Sequence, residues 1–276
     1  MTPSAKAEMA PSCSTAFWDA LAPFHATIED HYLDRRSIRY VMALLQEPVL
    51  VIGAGQGLIV EEIQKHGLRC DGVDFSPEMI RYARIRRGLS LVQADAKALP
   101  FSDRSYRSVV FATGVVDFTA DDDQVTTMLN EGKRVVQPGG KILVGFYRLS
   151  PPMEAFVRRV GLIESNMALQ RKSLELYLLS PSQMVSWIAR QAGVSFFHAL
   201  GLMLVMSARS TLQEKRMTFR MQSIFRKMSD PHALIRSAPE KQVYRNEAEI
   251  RNLFERLQIP IKKFEVLASC SIVTIQ

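Results

Sequence analysis

VLVIGAGQG, Val49–Gly57, decides how the rest of the chain is read. Four apolar residues without polar alternation read as a strand buried on both faces, and three glycines, Gly53, Gly55 and Gly57, follow it directly. Glycine lets the backbone turn tightly from strand into helix and lets a ligand approach without meeting a Cβ. A dinucleotide fingerprint, G-x-G-x-x-G, would put its third glycine at position 58, where Leu58 stands; the spacing here is G-x-G-x-G. On the glycines alone the ligand stays open.

The pattern repeats outward from that turn. LIVEEIQKHG reads as a helix, CDGVD (70–74) as a strand and SPEMIRYARIRRG as a helix. LSLVQAD (89–95) and SVVFAT (108–113) read as strands, QVTTMLNEGKRVV as a helix and KILVGFY (141–147) as a fifth strand. Right-handed crossovers make such a sheet parallel and bring the carboxyl ends of its strands to one edge, where ligands bind. Upstream, FWDALAPFHATIEDHYLDRRSIRYVMALL has helical apolar spacing and ends before Pro48, while residues 1–16 read as a flexible tail. The alternation stops at Ser150–Pro152. The expected division is an α/β domain of residues 17–150 and 246–276, closed by a helix (246–258) and two strands, with a mostly helical insertion over 151–245.

At 276 residues, 47% hydrophobic and 23% charged, the chain has the composition of a soluble globular protein. Cys13, Cys70 and Cys270 lie too far apart for a CxxC metal or redox motif, so no metal site is expected. The first residues show no apolar signal region, and the expected compartment is the cytoplasm. The net charge of +7 is uneven: residues 1–150 hold 17 Lys and Arg against 18 Asp and Glu, and residues 151–276 hold 18 against 10. Much of the surplus lies in RSTLQEKRMTFRMQSIFRKM (209–228). It reads as a basic amphipathic helix with Met217, Phe219, Met221, Ile224, Phe225 and Met228 on its apolar side. The uncharged run before it, 194–208, is shorter than the ~20 residues of a spanning helix. A peripheral contact with an anionic membrane surface is therefore expected of the second half; nucleic acid is the less favoured partner and stays open.

Motifs after the glycine turn narrow the ligand. Asp74 ends the second strand, where a carboxylate can accept two hydrogen bonds from ribose hydroxyls. Asp95 ends the third strand, Leu-Pro-Phe (99–101) and Asp103 precede the fourth, and Pro-Gly-Gly (138–140) precedes the fifth. In this order, over about residues 45 to 148, the sequence resembles the class I S-adenosylmethionine-dependent methyltransferases. The resemblance is to the small-molecule branch often called type 11, which includes quinone-biosynthesis enzymes, with a weaker echo in FWDALAPFH. It implies a Rossmann-like fold with a mostly parallel seven-stranded sheet and an inserted helical cap. It also implies S-adenosyl-L-methionine as cofactor and S-adenosyl-L-homocysteine as product.

Carried over by position, the resemblance implies that Gly53, Ala54, Gly55 and Gly57 form the turn beside the methionine and ribose. Asp74 would hold the ribose hydroxyls, Phe75 pack by the adenine and Ser76 open the next helix. Asp95 and the Ala96 backbone would meet the adenine edge, and Thr113 and Gly114 would face the sulfonium. The family usually has an acidic residue two places before the first glycine; here Val51 stands there, and Tyr32 or Arg36 are candidates to compensate. A cofactor-binding protein without turnover is the alternative that Val51 raises.

Methyl transfer from a sulfonium is an in-line displacement that mainly needs alignment in a water-poor site, so no catalytic residue is fixed by sequence. Asp117, Tyr147 and His198 are the candidates for proton transfer. TGVVDF follows the fourth strand where an amino-methylating enzyme for flipped bases would carry Asn/Asp-Pro-Pro-aromatic, and no Pro-Cys nucleophile is present. The expected acceptor is a small apolar or amphipathic metabolite, lipid-like or quinone-like, held by the Met-, Phe- and Leu-containing cap. The same apolar residues also suit cap packing or a homodimer contact. An RNA methyltransferase recruited by the basic half is the remaining alternative.

Overall fold

Val49–Ile52 is fully buried because both faces of its sheet are covered. The computed structural model describes residues 15–26, 35–117, 119, 121–164, 167–209, 212–240, 242–267 and 270–275. In the first half the helices are α1 (Thr15–His25), α2 (Arg35–Leu44), α3 (Leu58–Lys65), α4 (Pro77–Arg87) and α5 (Asp122–Val135). The strands are β1 (Val49–Ile52), β2 (Cys70–Asp74), β3 (Val92–Gln93), β4 (Tyr106–Phe111) and β5 (Val136–Tyr147). Then come α6 (Pro151–Arg159), β6 (Ile163–Glu164), β7 (Met167–Ala168), α7 (Gln170–Glu175), α8 (Pro181–Ala192), α9 (Phe196–Arg209), α10 (Leu212–Lys227) and α11 (Pro231–Ser237). The last elements are β8 (Gln242–Val243), α12 (Glu247–Arg256), β9 (Lys263–Val266) and β10 (Cys270–Ile275).

The seven-stranded sheet has the order β3-β2-β1-β4-β5-β10-β9, parallel except for β10, which is antiparallel to both neighbours. Successive side chains of β1 alternate between faces. Leu50 and Ile52 join Phe111, Leu129 of α5 and Phe254 of α12, whereas Val49 and Val51 join Val41 of α2, Ile63 of α3 and Ala83 of α4. That double burial explains the unbroken apolar run. Strand order reverses between β1 and β4, so a crevice opens at their carboxyl ends, the usual ligand position in such sheets.

Two strand expectations change. The third strand shrinks from 89–95 to two paired residues, because Leu89 and Leu91 turn into the core beside β1 and β3 is a sheet edge bonded only to β2. Pro-Gly-Gly does not separate helix from strand: β5 runs through it, with an irregular register against β4 between Tyr106 and Ser108. Gly140 allows this, since a Cβ there would lie 2.7 Å from the Arg107 carbonyl oxygen.

The region after β5 is helical but also contains a small antiparallel sheet, β6-β7-β8. It packs as two apolar clusters. One joins Phe17 and Leu21 of α1 to Met221, Ile224 and Phe225 of α10 and Leu234 of α11; the other joins Val160, Val185 and Ile188 to Ala199 of α9. The buried positions of α10 follow i, i+3, i+4 spacing, which turns Phe219 away from them. Phe219, expected on the apolar side, is exposed.

Candidate active site

The glycine turn after β1 is fixed by its own crowding. Gly53 has φ +71°, and a Cβ there would lie 2.2 Å from Val115 Cγ2; Gly57 has φ +85°, and its Cβ would lie 2.5 Å from Leu89 Cδ1. Beside the turn, Asp74 Oδ2 accepts the Gly55 N–H at 2.7 Å and Oδ1 accepts the Ser76 N–H at 2.9 Å. A carboxylate has about four lone-pair sites, so acceptor capacity remains for a vicinal diol. Burial pushes the Asp74 pKa up, and the N–H groups of Ser76, Gly55 and Phe75 oppose that rise.

Helix α1 walls this turn. Ser76 Oγ accepts the Met79 N–H at 3.1 Å, capping α4, and donates to Asp19 of α1 at 2.5 Å. Gln56 Nε2 donates to the Ala22 carbonyl, and Arg86 Nη2 donates to the Pro23 carbonyl at 2.9 Å. His25 then lies over the turn, its Cε1 3.3 Å from where a Gly55 Cβ would be. Burial, with the charges of Arg87 and Arg86, lowers the His25 pKa to about 4, so the ring is neutral at pH 7.

A cavity of about 400 Å³ opens at this sheet edge. Gly53, Ala54, Gly55, Asp74, Phe75, Asp95, Ala96, Thr113 and Gly114 line it, as does Tyr147. Gly57 and Ser76 are not among its lining residues: Gly57 is the N-cap residue of α3 and Ser76 caps α4. Asp95 accepts the Lys97 N–H at 2.9 Å and lies 3.5 Å from Lys97 Nζ.

Two candidates for proton transfer fall elsewhere. Asp117 is buried outside the lining, and its Oδ2 accepts the N–H groups of Gly114 at 3.2 Å and Tyr147 at 2.7 Å. It therefore clamps the exit of β4 to the end of β5. Burial raises its pKa to about 6, against the pull of the Tyr147 N–H, the Arg245 charge and the Gly114 N–H. Arg245 holds the same loop through the Val116 and Thr119 carbonyls. His198 sits on the exposed side of α9, outside the lining. Val51 points into the α2–α4 side of the sheet, and the only acids lining the cavity among the described residues are Asp74 and Asp95. Tyr32 and the Arg36 side chain lie outside the described residues.

α1 and the insertion give the cavity an apolar wall: Phe17, Trp18 and Leu21 line it together with Leu174, Tyr177, Met221 and Leu234. Gln124 at the start of α5 and Gln242 of β8 also line it. Among the described residues nothing donates to the buried Oε1 atom of either, although Gln124 Nε2 donates to Asp121 at 3.2 Å. Trp18, His25, Gln124 and Gln242 carry no motif that marks them as site residues in the sequence. The helical spacing of Phe17, Leu21 and His25 marks a buried face of α1 without saying what it covers, and nothing local marks the two glutamines.

A backbone-lined turn, a buried carboxylate at the end of β2, a second carboxylate after β3 and a lone antiparallel β10 are the features of the Rossmann-like methyltransferase fold. Residues 50–144 match the family described as "Methyltransferase domain", and the fold is that of the class I S-adenosylmethionine-dependent methyltransferases. Among curated relatives, a demethylmenaquinone methyltransferase of Corynebacterium urealyticum is 33% identical over 119 residues, 42% of this chain and 48% of that one. A ubiquinone biosynthesis O-methyltransferase of Xanthomonas axonopodis pv. citri is 25% identical over 194 residues, 68% of this chain and 79% of that one. The chain thus spans about half the length of the first of these relatives. A solved SAM-dependent methyltransferase from Methanosarcina mazei shares the fold at TM-score 0.53 and 16% identity, over 86% of this chain and 96% of that one.

Proposed function

We propose that the protein transfers a methyl group from S-adenosyl-L-methionine to a small, amphipathic, hydroxyl-bearing acceptor of the quinol kind. The observation that carries this is one cavity with two unlike kinds of wall. Gly53–Gly55, Asp74 and Asp95 supply a part suited to a nucleotide, and Phe17, Trp18, Leu21, Tyr177 and Met221 an apolar part, with the Gln124 and Gln242 amides also in the lining. An aromatic ring suits the Trp18, Tyr177 and Met221 walls, and a hydroxyl group suits the amides of Gln124 and Gln242 in the same lining. The names of the relatives, two quinone-biosynthesis activities, point to the same acceptor class.

Bound S-adenosylmethionine supplies an electrophilic methyl group on a sulfonium. Asp74 and the glycine turn fix the ribose and methionine ends, Asp95 and Ala96 the adenine edge, and Thr113 and Gly114 border the reacting region. α1 and the cap keep water from the acceptor. An electron-rich quinol ring or phenolate asks alignment of the protein more than a strong base. Isothermal titration with S-adenosylhomocysteine and with NAD, followed by transfer of labelled methyl to short-chain benzoquinols and naphthoquinols, tests the reading. Binding of NAD but not of S-adenosylhomocysteine would overturn it, and cofactor binding without turnover on any quinol would overturn the acceptor class.

A further inference from the structure

Helix α9 breaks the rule that a helix apolar all round is buried all round. Its inner side packs Ala199, Leu200 and Met203 onto the cluster around Ile188. Its outer side stays apolar in solvent: Phe197 is 82% exposed, Leu204 59% and Val205 50%. With Gly201 and Ala208, also exposed, these positions follow i, i+4, i+7, i+8 and i+11, one continuous stripe. Its neighbour α8 does the opposite, burying Val185 and Ile188 and exposing Ser182, Gln183, Ser186, Arg190 and Gln191.

In the sequence, cations follow the stripe. Arg209 ends α9, and Lys215, Arg216, Arg226 and Lys227 of α10 are exposed. Phe219, 70% exposed, stands four residues after Lys215 and three after Arg216 on the same side of α10. Glu214 is the one acid from 194 to 227 in the sequence.

We propose that the outer face of α9, with the basic face of α10, docks on an anionic lipid surface and lies in its interface. Charge selects this occupant. A second copy of the chain would bring the same cations towards each other, and a nucleic acid would satisfy the cations and leave Phe197, Leu204 and Val205 in water. An interfacial helix buries an apolar stripe below headgroups whose charge meets adjacent Lys and Arg. The helix lies on the membrane and does not cross it. Its 14 residues span about 21 Å against a hydrocarbon core of about 30 Å, and α9 is bent by 106° from α8. Among the described residues no single helix is long and apolar enough to cross. Docking is independent of methyl transfer; a membrane-dissolved acceptor would connect the two.

The test uses the full chain with neutral phosphatidylcholine vesicles and with vesicles containing phosphatidylglycerol, sedimented at low and moderate salt. Binding is expected to the anionic vesicles, weakening as salt rises. The double variant Phe197→Glu, Leu204→Glu should lose at least tenfold in partitioning while keeping its helical circular dichroism and S-adenosylhomocysteine binding. Lys215→Glu, Arg216→Glu should lose the preference for anionic over neutral vesicles. Absence of sedimentation with anionic vesicles at low salt would overturn the proposal, as would variants that partition like the parent. So would light scattering that shows a dimer dissolved by Phe197→Glu, since the stripe would then be a self-contact. None of these outcomes touches the cofactor titration, so docking and methyl transfer fail separately.

Discussion

The two parts of the cavity are made in different ways. The part proposed to hold the nucleotide comes from short turns at the carboxyl ends of β1 to β4, and most of what it presents is backbone plus two carboxylates. The part proposed to hold the acceptor is assembled from side chains of α1, α5, α7, α10, α11 and β8, spread from Phe17 to Gln242. Backbone geometry tolerates little change, since a single added atom meets a fixed neighbour. A side-chain wall can be reshaped one residue at a time. The first part therefore suits a ligand common to many enzymes, and the second is where specificity can drift.

The sharpest way to break this contrast is to add one carbon in the nucleotide part. Gly53→Ala would place a Cβ against Val115 in a left-handed backbone conformation. Conformation costs about 1–2 kcal/mol and overpacking about 1–3 kcal/mol more. A fall in urea midpoint of that size and loss of S-adenosylhomocysteine binding by calorimetry are expected. An unaltered midpoint would show that this turn is as pliable as the cap.

Helix α1 belongs to both parts, and His25 makes its seat sensitive to pH. The folded-state pKa, about 4, lies below the ordinary value of 6.5, so the unfolded chain binds the proton more readily. The stability of the neutral ring is complete above pH 6.5 and is lost as pH falls through 4, by about 3 kcal/mol in total at roughly 1.4 kcal/mol per unit. Urea midpoints of the parent should therefore fall relative to those of His25→Phe across this window. Parallel curves would remove His25 from the account of how α1 is held.

Asp74→Ala comes next in size. Losing charged hydrogen bonds to a ribose costs about 1.5–3 kcal/mol, roughly 10- to 150-fold in affinity for S-adenosylhomocysteine. A dissociation constant equal to the parent's would take the diol away from Asp74.

How much was legible beforehand follows the same division. Asp74 and Asp95 could be placed because a strand's end and a turn are local, and the fold followed from strands repeating between helices. Sequence also pointed to Asp117, which the structure puts under the wall, because chain proximity to β4 does not say which way a side chain turns. Gln242 lies 118 residues after Gln124, and only the packing of β8 brings both to one cavity. The outer face of α9 carried a signal, an uncharged run too short to span. Reading it needed the knowledge that α8 covers only one side.

The smallest expected effect tests the acceptor part and carries two signs. Among the described residues nothing donates to the buried Gln242 Oε1, and an unsatisfied buried carbonyl costs about 1–3 kcal/mol. Gln242→Leu removes that cost at similar volume, so the free protein should gain about 1 kcal/mol in unfolding free energy. The same change removes an acceptor for the substrate hydroxyl, and KM for a short-chain naphthoquinol should rise about fivefold, an effect near 1 kcal/mol. Affinity for S-adenosylhomocysteine should not change, because the nucleotide part is built without this residue. A destabilised variant with unchanged KM would make Gln242 a packing residue; a rise in stability with a rise in KM would show that the cap holds an energetic cost for the sake of recognition.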